Sequence, residues 1–340
     1  MNTEKLCVVG PGLIWHSVHK PNLMRLADVF DVRGFVSRSA KSRTDAAREF
    51  PGSKPYEFLE EALADPEIDG VLVLTPIAMN APIASAALRA GKDVYLEKPA
   101  AMNLSQCTML EIAAAESVQA VYVLENQAYD GKIAAVSAAI AEGRIGTVVG
   151  FEAVNHFFFG GERNQTGAYA ETTWRIDPEF PLGIIFDGGI HDLAGFQTLF
   201  GAPTRVSATG TELRPGFGDF DLVRMHMSYA QNVDGFFSHG AACAGGDNHF
   251  TIRGTEATIR VERDTLTIIG SDGAARELPF PAGKSHDRMW NAVAADRAGD
   301  STCADEGASG CIYTLGQALV DVRTLLAAER SIRLQRDETL

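Results

Sequence analysis

The sequence lacks the patterns that mark disulfide-rich, zinc-bound or membrane-spanning proteins. Its 340 residues include five cysteines, an odd number with no C-x-x-C pair. Such scattered cysteines argue against a disulfide framework or a structural zinc site and favour a reducing compartment. The longest apolar runs, such as Val71–Leu74, are far shorter than the roughly 20 residues that a membrane helix needs. The first residues contain no apolar core of a signal peptide, so we expect a cytoplasmic protein with no membrane partner.

Positive charge is also scarce. The chain has 30 Lys and Arg residues against 44 Asp and Glu residues, which gives a formal net charge of −14. An excess of negative charge opposes binding to nucleic acids and to anionic membranes. An anionic cofactor must therefore be held by local features of the chain. The length and the ordinary content of 46% hydrophobic residues predict two globular domains.

The first 125 residues alternate apolar runs with helical patterns. Continuous apolar runs are typical of strands that are covered on both faces, and strand–helix alternation predicts a parallel, doubly wound sheet. The predicted strands are Leu6–Val9, Val32–Ser37, Gly70–Thr75, Asp93–Leu96 and Ala120–Leu124. The predicted helices are Val18–Asp28, Ser42–Phe50, Tyr56–Ala64, Ile83–Ala90 and Ser105–Ser117.

The pattern changes after residue 125. A helix at Ile133–Glu142 precedes strands with more polar–apolar alternation and hairpin signals, and a helix at Gly310–Glu329 ends the series. The predicted strands are Thr147–Asn155, Arg205–Leu213, Asp221–Tyr229, Val233–Ala241, Asn248–Gly254, Ala257–Glu262 and Thr265–Ile269. The predicted fold class is therefore α/β: a Rossmann domain of residues 1–125, then an α/β domain of residues 126–340 on an open, mostly antiparallel sheet.

A glycine-bearing turn follows the first predicted strand. The first glycine of Gly10-Pro-Gly12-Leu-Ile-Trp15 permits a tight turn, and the second lets the backbone approach a pyrophosphate at a helix N-terminus. Trp15 replaces the third glycine of G-x-G-x-x-G, and we expect it to loosen or tilt the helix. Glycine turns are common, but this position at the start of an α/β half favours a dinucleotide.

The end of the second strand distinguishes NAD from NADP. Ser37-Arg38-Ser39, with Arg43 nearby, stands where an acidic residue usually holds the ribose diol. A hydroxyl and a guanidinium suit a 2′-phosphate, which a carboxylate would repel. The pattern favours NADP(H), with a solvated basic loop as the alternative.

Two further motifs carry proton chemistry. Lys98, in Glu97-Lys98-Pro99, follows a strand whose end faces the ligand crevice, and Pro99 is a candidate for a cis bond. Asp187 and His191 lie four residues apart, so at a helix start they share a face, where a carboxylate can orient an imidazole for proton transfer. A solvated lysine and a packed core histidine are the alternatives, and no metal site is predicted.

With these motifs in place, the chain resembles the glucose–fructose oxidoreductase/inositol dehydrogenase (Gfo/Idh/MocA) family. The shared motifs are Gly10-Pro-Gly12, Thr75-Pro76, Glu97-Lys98-Pro99, Glu125-Asn126, Trp174-Arg175 and Asp187-Gly-Gly-Ile-His191. The resemblance implies Lys98, Asp187 and His191 as the catalytic group. The residues and the resemblance together predict cofactor contacts at Gly10, Gly12, Leu13, Ile14, Ser37, Arg38, Arg43, Thr75, Pro76, Asn80, Glu97, Lys98, Asn126, Trp174 and Arg175.

The function that this resemblance implies is hydride transfer between NADP(H) and a carbinol or carbonyl carbon of a sugar, polyol or related small hydroxylated compound. An open sheet that supports oligomer contacts implies a homodimer or homotetramer. Two alternatives stay open: redox-neutral glycosidase-type chemistry with a retained cofactor, and a non-enzymatic regulator that senses the cofactor.

Overall fold

The computed structural model describes residues 3–160, 167–177, 180–216, 218–299 and 312–340. The chain divides into two compact units, the first up to Glu125 with the chain from His286, and the second comprising Asn126–Ser285 with the chain from Val320. The sequence pattern predicted a boundary at residue 125 and placed all of residues 126–340 in one domain. The structure instead joins helix α9 (Ser285–Arg297) to the first unit, because its Trp290 is buried against Phe30 and Tyr95.

The first unit is built on a sheet of six parallel strands in the order β3-β2-β1-β4-β5-β6. In chain order the strands are β1 Glu4–Val9, β2 Phe30–Val36, β3 Lys54–Tyr56, β4 Gly70–Val73, β5 Asp93–Glu97 and β6 Val121–Leu124. Every residue of β4 is buried, as expected for a strand covered on both faces. The strand order reverses between β1 and β4, where doubly wound sheets bind their ligands. The predicted parallel α/β sheet is confirmed.

The helices of this unit differ from the prediction at three places. Their bounds are α1 Lys20–Arg25, α2 Ala40–Arg48, α3 Leu59–Ala64, α4 Ile77–Arg89, α5 Leu104–Ala115 and α9 Ser285–Arg297. The helix predicted from Tyr56 begins at Leu59, because Lys54–Tyr56 pairs with β2 as a strand. Helix α9 was not predicted, and α4 begins six residues before its predicted start.

The early start of α4 has a local explanation. Pro82 lies inside the helix, where it cannot donate a hydrogen bond to the carbonyl four residues before it, Ala78. The side-chain amide of Gln106, on α5, donates to the Ala78 carbonyl at 3.0 Å instead. A side chain from a neighbouring helix therefore satisfies the carbonyl, and the helix continues through the proline.

A π-helical turn at Trp15–His19 leads into α1. Pro21 lacks the N–H that an α-helix requires, and a wider turn just before it is a common local adjustment. Trp15 is fully buried, with its ring 5.5 Å from that of Phe35 and 5.6 Å from that of Phe50. In place of the loosened packing expected at the third glycine position, the helix start is held by an aromatic cluster.

The second unit is built on nine strands in the order β14-β13-β12-β11-β7-β10-β9-β8-β15. They are β7 Val148–Phe158, β8 Arg205–Thr211, β9 Leu222–Ser228, β10 Asp234–Gly240, β11 Ala242–Gly254, β12 Ala257–Glu262, β13 Leu266–Gly270, β14 Ala275–Glu277 and β15 Glu338–Thr339. Neighbouring strands in the described ranges run antiparallel, except that β7 and β10 are parallel. The predicted mostly antiparallel sheet is confirmed, although the short strands β14 and β15 were not predicted.

Four helices accompany this sheet: α6 Gly131–Ala141, α7 Ile184–Asp187, α8 Ile190–Phe200 and α10 Leu315–Leu334. The final helix was predicted at Gly310–Glu329; residues 310 and 311 lie outside the described ranges, and α10 extends five residues past the predicted end. Helix α10 belongs to the second unit from Val320 onwards. Within the described residues, no helix combines the length and apolar character needed to cross a bilayer.

One face of the nine-stranded sheet carries the core of the second unit. Phe151 of β7 lies 4.7 Å, ring to ring, from both Phe196 and Phe200 of α8. Gly235 on β10 leaves room for this ring, since a Cβ there would lie 2.2 Å from it. On the same strand as Gly235, Phe236 points the other way and is 57% exposed. The alternation of side chains along β10 thus separates a packed face from an exposed one.

The sheet faces can be tested with a matched pair of substitutions. Phe151→Ala should lower the free energy of unfolding by about 3–5 kcal/mol, because it removes buried aromatic area and leaves a cavity. Phe236→Ala, on the exposed face, should change it by less than about 0.5 kcal/mol. Urea titration followed by tryptophan fluorescence measures both. Equal losses in the two variants would contradict the assigned faces.

Candidate active site

The glycine turn after β1 lies at the reversal of strand order. Gly10 has φ +83°, and a Cβ there would lie 2.9 Å from the carbonyl oxygen of Leu74 and 3.1 Å from the methyl of Thr75, so the position requires glycine. Gly12 is exposed, and a Cβ on it would find no atom nearer than 3.8 Å. The predicted residues Gly10 and Thr75 are thus brought together, with open surface beside Gly12.

This open surface fits the pyrophosphate of a dinucleotide. The helical segment begins at Leu13 and Ile14, and the first N–H groups of a helix have no acceptor within it. Such groups bind anions. Leu13 is 44% exposed, and Pro76, which follows β4, is exposed as well. The residues predicted to contact the cofactor in this part of the chain are therefore accessible to one.

The two arginines that follow β2, Arg38 and Arg43, lie in different environments. Ser39 caps α2 by accepting a backbone N–H at 3.2 Å. Arg38 is exposed and makes no ion pair with any described residue. Arg43 is mostly buried, donates to the carbonyl of Ser37 at 3.1 Å and lies 3.5 Å from the carboxylate of Glu57. Arg38 is thus available to a ligand, whereas Arg43 also holds the loop in shape, and its direct contact with the cofactor stays a prediction.

Asn80 holds the turn that presents Lys98. The Lys98–Pro99 peptide bond is cis, as predicted. The fully buried amide of Asn80 donates to the carbonyls of Glu97 at 3.1 Å and Pro99 at 2.9 Å, and its oxygen accepts from the hydroxyl of Thr75 at 2.9 Å. Asn80 thus fixes the backbone on both sides of the lysine, while its contact with the cofactor stays a prediction.

Glu97 is also occupied within the protein. Its Oε2 accepts the backbone N–H of Lys98 at 2.9 Å, and its Oε1 lies 2.8 Å from Nε2 of His19. Burial alone would raise the pKa of Glu97, but the hydrogen bond from His19 and the charges of Lys98 and His286 hold it below its usual value. Each oxygen has a partner within the protein, so Glu97 holds the backbone of Lys98, and its contact with the cofactor stays a prediction. The Lys98 side chain itself is half-buried.

Asp187 and His191 lie on one helical path. Asp187 ends α7, and His191 lies in the first turn of α8. Gly188 and Gly189 between them keep helical dihedral angles of φ −91°, ψ −48° and φ −70°, ψ −15°. Residues four apart on such a path share a face, as the spacing predicted. Asp187 is buried, while His191 is half-buried.

Arg175 orients Asp187, a contact that sequence reasoning missed. Its Nε donates to Oδ2 of Asp187 at 2.6 Å, and its Nη1 donates to the hydroxyl of Thr172 at 2.7 Å. The guanidinium also lies over the rings of Trp174, at 4.1 Å, and Tyr169, at 5.3 Å. Charge-assisted hydrogen bonds of this kind are short and strong. Arg175 was predicted as a cofactor contact only, because a spacing of twelve residues carries no local signal of the ion pair.

The glycines beside Asp187 accommodate a histidine rather than a ligand. A Cβ on Gly188 would lie 3.4 Å from Nε2 of His239, and one on Gly189 would lie 2.4 Å from the side chain of Ile185. His239, on β10, is buried, and its Nε2 has no hydrogen-bond partner in the described structure. Burial lowers the pKa of His239 to about 3. This imidazole is therefore neutral at physiological pH.

The remaining predicted residues have partners of their own. The amide of Asn126 donates to the hydroxyl of Ser285 at 2.8 Å. Trp174 is half-buried, with its ring 5.5 Å from that of Phe180. Among the described side chains, no group of three or more His, Cys, Asp or Glu residues could hold a metal ion.

Comparison with known proteins agrees with these features. Residues 5–125 match the oxidoreductase family with an NAD-binding Rossmann fold, and residues 133–260 match the GFO/IDH/MocA C-terminal domain. An uncharacterized protein of Saccharomyces cerevisiae is 31% identical over 82% of this chain and 80% of its own length. The chain belongs to the Gfo/Idh/MocA family of oxidoreductases. Its cofactor class is accordingly NAD(P).

Two named relatives and two solved structures extend the comparison. The 1,5-anhydro-D-fructose reductase of Ensifer adhaerens is 30% identical over 70% of this chain and 69% of its own length. The scyllo-inositol 2-dehydrogenase (NADP(+)) of Bacillus subtilis is 28% identical over 68% and 61%. An oxidoreductase from Thermotoga maritima superposes with a TM-score of 0.87 at 23% identity, covering 99% of this chain and 98% of its own. A Bordetella pertussis dehydrogenase in complex with NADH and UDP-GlcNAcA gives 0.84 at 19% identity, with 100% and 99% covered. The two structures share the fold.

The buried neutral histidine predicts a pH dependence of stability. The pKa of His239 falls from 6.5 to about 3 on folding, so below pH 6.5 the unfolded chain binds the extra proton and stability is lost as the pH falls. His239→Leu removes this proton and should flatten the decline by about 1.4 kcal/mol per pH unit between pH 6.5 and about 5. Urea titrations across that range measure the slope.

His16→Gln, at an exposed histidine of the turn Trp15–His19, provides the control and should not flatten the decline. An unchanged slope in His239→Leu would show that His239 does not resist protonation.

Proposed function

We propose that the chain is an NADP(H)-dependent oxidoreductase that transfers a hydride to or from a carbinol or carbonyl carbon of a sugar, polyol or related small hydroxylated compound. The observation that supports this most directly is the set of hydrogen bonds that hold the turn at Lys98. Its turn is fixed by the amide of Asn80 and the carboxylate of Glu97, in a unit whose glycine turn after β1 leaves open surface for a dinucleotide. A lysine that must stabilise charge on a substrate oxygen needs a fixed backbone of this kind, whereas a solvated surface lysine does not.

The cofactor, when bound, supplies the nicotinamide carbon that exchanges the hydride. In the oxidation direction, the Lys98 ammonium donates a hydrogen bond to the substrate oxygen and stabilises the developing alkoxide. The imidazole of His191 accepts the hydroxyl proton. Asp187, held by Arg175 at 2.6 Å, shares a helical face with His191 and orients the imidazole. In the reduction direction His191 returns the proton.

The choice of NADP(H) rests on the loop after β2. No carboxylate occurs in Ser37–Ser39, and Arg38 is exposed beside the N-terminus of α2, where a phosphate would be favoured. The Bacillus subtilis relative whose name includes NADP(+) supports the same choice. The names of the two curated relatives point to ring-shaped polyhydroxy compounds as the substrate class.

The proposal also includes a cytoplasmic homodimer or homotetramer. It draws on the open face of the nine-stranded sheet, where the aromatic side chain of Phe236 is 57% exposed. Isologous contacts between such faces are a common way to form a closed homo-oligomer.

The catalytic roles can be tested by single substitutions. Lys98→Met and His191→Ala should each lower kcat by about 10²- to 10⁴-fold, because the first removes the cation that stabilises the alkoxide and the second removes the proton acceptor. The Kd for NADPH, measured by fluorescence titration, should change little. Turnover is measured by NADPH absorbance against a panel of sugars, polyols and their carbonyl forms.

Lys54→Met, at an exposed lysine of β3, is the control and should leave both quantities unchanged. Loss of NADPH binding with intact turnover at saturating cofactor would assign Lys98 to the cofactor site instead.

Substitutions of two arginines, one just before α2 and one at its last residue, test the cofactor preference. Arg38→Ala should weaken NADP binding by about 10-fold or more while NAD binding stays nearly constant, because only NADP carries the 2′-phosphate. Arg48→Ala, at an exposed arginine near the other end of α2, is the matched control. Isothermal titration with each nucleotide gives the ratio. Equal weakening of NAD and NADP by Arg38→Ala would contradict the 2′-phosphate role.

A further inference from the structure

A buried hydrogen-bonded chain leads from helix α9 to the backbone of Lys98. Nε1 of Trp290 lies 3.2 Å from Nδ1 of His19, and Nε2 of His19 lies 2.8 Å from Oε1 of Glu97. The other oxygen of Glu97 accepts the N–H of Lys98 at 2.9 Å. Trp290 and His19 have no solvent exposure, so water does not compete for these bonds.

The hydrogen-bond partners of His19, Trp290 and Glu97, determine which ring nitrogen carries the proton. An indole N–H can only donate, so Nδ1 of His19 must accept from Trp290 and carries no proton. The proton of the neutral ring therefore lies on Nε2 and is donated to the Glu97 carboxylate. The tautomer follows from its neighbours, as in histidines whose second nitrogen is held by a fixed partner.

His19 also lies on the helical segment that begins at the glycine turn. Trp15–His19 is the π-helical turn that follows Gly10 and Gly12, and its two terminal residues are buried. The segment whose start faces the proposed pyrophosphate site thus ends on the residue that holds Glu97. The position of Lys98 is coupled to the position of this helix by two short hydrogen bonds.

We propose that His19, held in its Nε2–H tautomer by Trp290, is a positioning residue that sets Lys98 for its hydrogen bond to the substrate oxygen by fixing the Glu97 carboxylate. The inference rests on the proposed function of Lys98. No local pattern indicated it, since 78 residues separate His19 from Glu97 and 271 separate it from Trp290.

Removal of His19 has a predictable electrostatic effect on Glu97. The charged or titratable groups that act on this buried carboxyl are His19, Lys98 and His286. Without the hydrogen bond from His19, burial raises the pKa of Glu97. A protonated Glu97 accepts fewer hydrogen bonds and holds the Lys98 N–H less well, so activity should be lost on the acid side at a higher pH than in the unsubstituted enzyme.

The first experiment needs no turnover. Nitrogen-15 NMR of the full-length protein with labelled histidine reports the tautomer of each imidazole at neutral pH. We expect His19, assigned by its loss in His19→Gln, to show the Nε2–H form and to relax towards a mixture in Trp290→Phe. An Nδ1–H or doubly protonated His19 in the unsubstituted protein would overturn the inference.

The second experiment follows kinetics in three variants. His19→Leu should lower kcat by about 10- to 100-fold with little change in the Kd for NADPH, and should move the acid limb of its pH profile upwards. His19→Gln keeps an N–H donor towards Glu97 and should recover most of kcat and the original acid limb. His16→Leu, at an exposed histidine of the same turn, is the control. Unchanged kcat and acid limb in His19→Leu would overturn the inference.

The two proposals can fail separately. If no compound in the substrate panel consumes NADPH, the proposed function fails, while the tautomer of His19 and the carbon-13 carboxyl titration of Glu97 in His19→Leu still test the positioning role. If His19→Leu does not fold, the tautomer measurement in the unsubstituted protein decides.

Discussion

The buried carboxylate of Glu97 is the constraint around which the first unit is arranged. A charge without solvent must be compensated by hydrogen bonds, and here these come from His19, in the π-helical turn Trp15–His19, and from the backbone of Lys98. Asn80 adds two bonds to the same turn. Helix α9 belongs to this unit, and its Trp290 donates the last hydrogen bond of the chain by bonding to His19. Weakening any member leaves a buried polar group unpaired, which explains why so many side chains serve one turn.

The buried carboxylate of Asp187, in the second unit, also requires compensating hydrogen bonds. Arg175 pairs with this buried carboxylate and is itself covered by Trp174 and Tyr169. Beneath the neighbouring glycines lies the neutral imidazole of His239, whose Nε2 has no hydrogen-bond partner in the described residues. In both units a buried carboxylate is thus held by groups that are distant from it in the chain. Asn80, Glu97 and Arg175, which were predicted as cofactor contacts, take part in these internal hydrogen bonds.

Regular elements with strong local patterns were predictable. Apolar runs such as Val71–Leu74 located the parallel strands, and the four-residue spacing of Asp187 and His191 located their shared helical face. Errors arose where a distant partner overrode the local rule. The helix predicted from Ile83 begins before Pro82, because Gln106 satisfies the carbonyl that the proline leaves free. Lys54–Tyr56 is a strand only because β2 offers an open edge.

The local sequence alone was sufficient for the parallel α/β half, the glycine turn, the exposed Arg38 loop and the motif positions of Lys98, Asp187 and His191. These depend on residue type and near-neighbour spacing, which backbone sterics translate directly into structure. The tertiary structure decided which polar groups pair: His19 with Glu97 and Trp290, Arg175 with Asp187, and the space beside Gly188 with His239. Hydrogen bonds between residues far apart in the chain depend on packing, and packing leaves no periodic trace in the sequence.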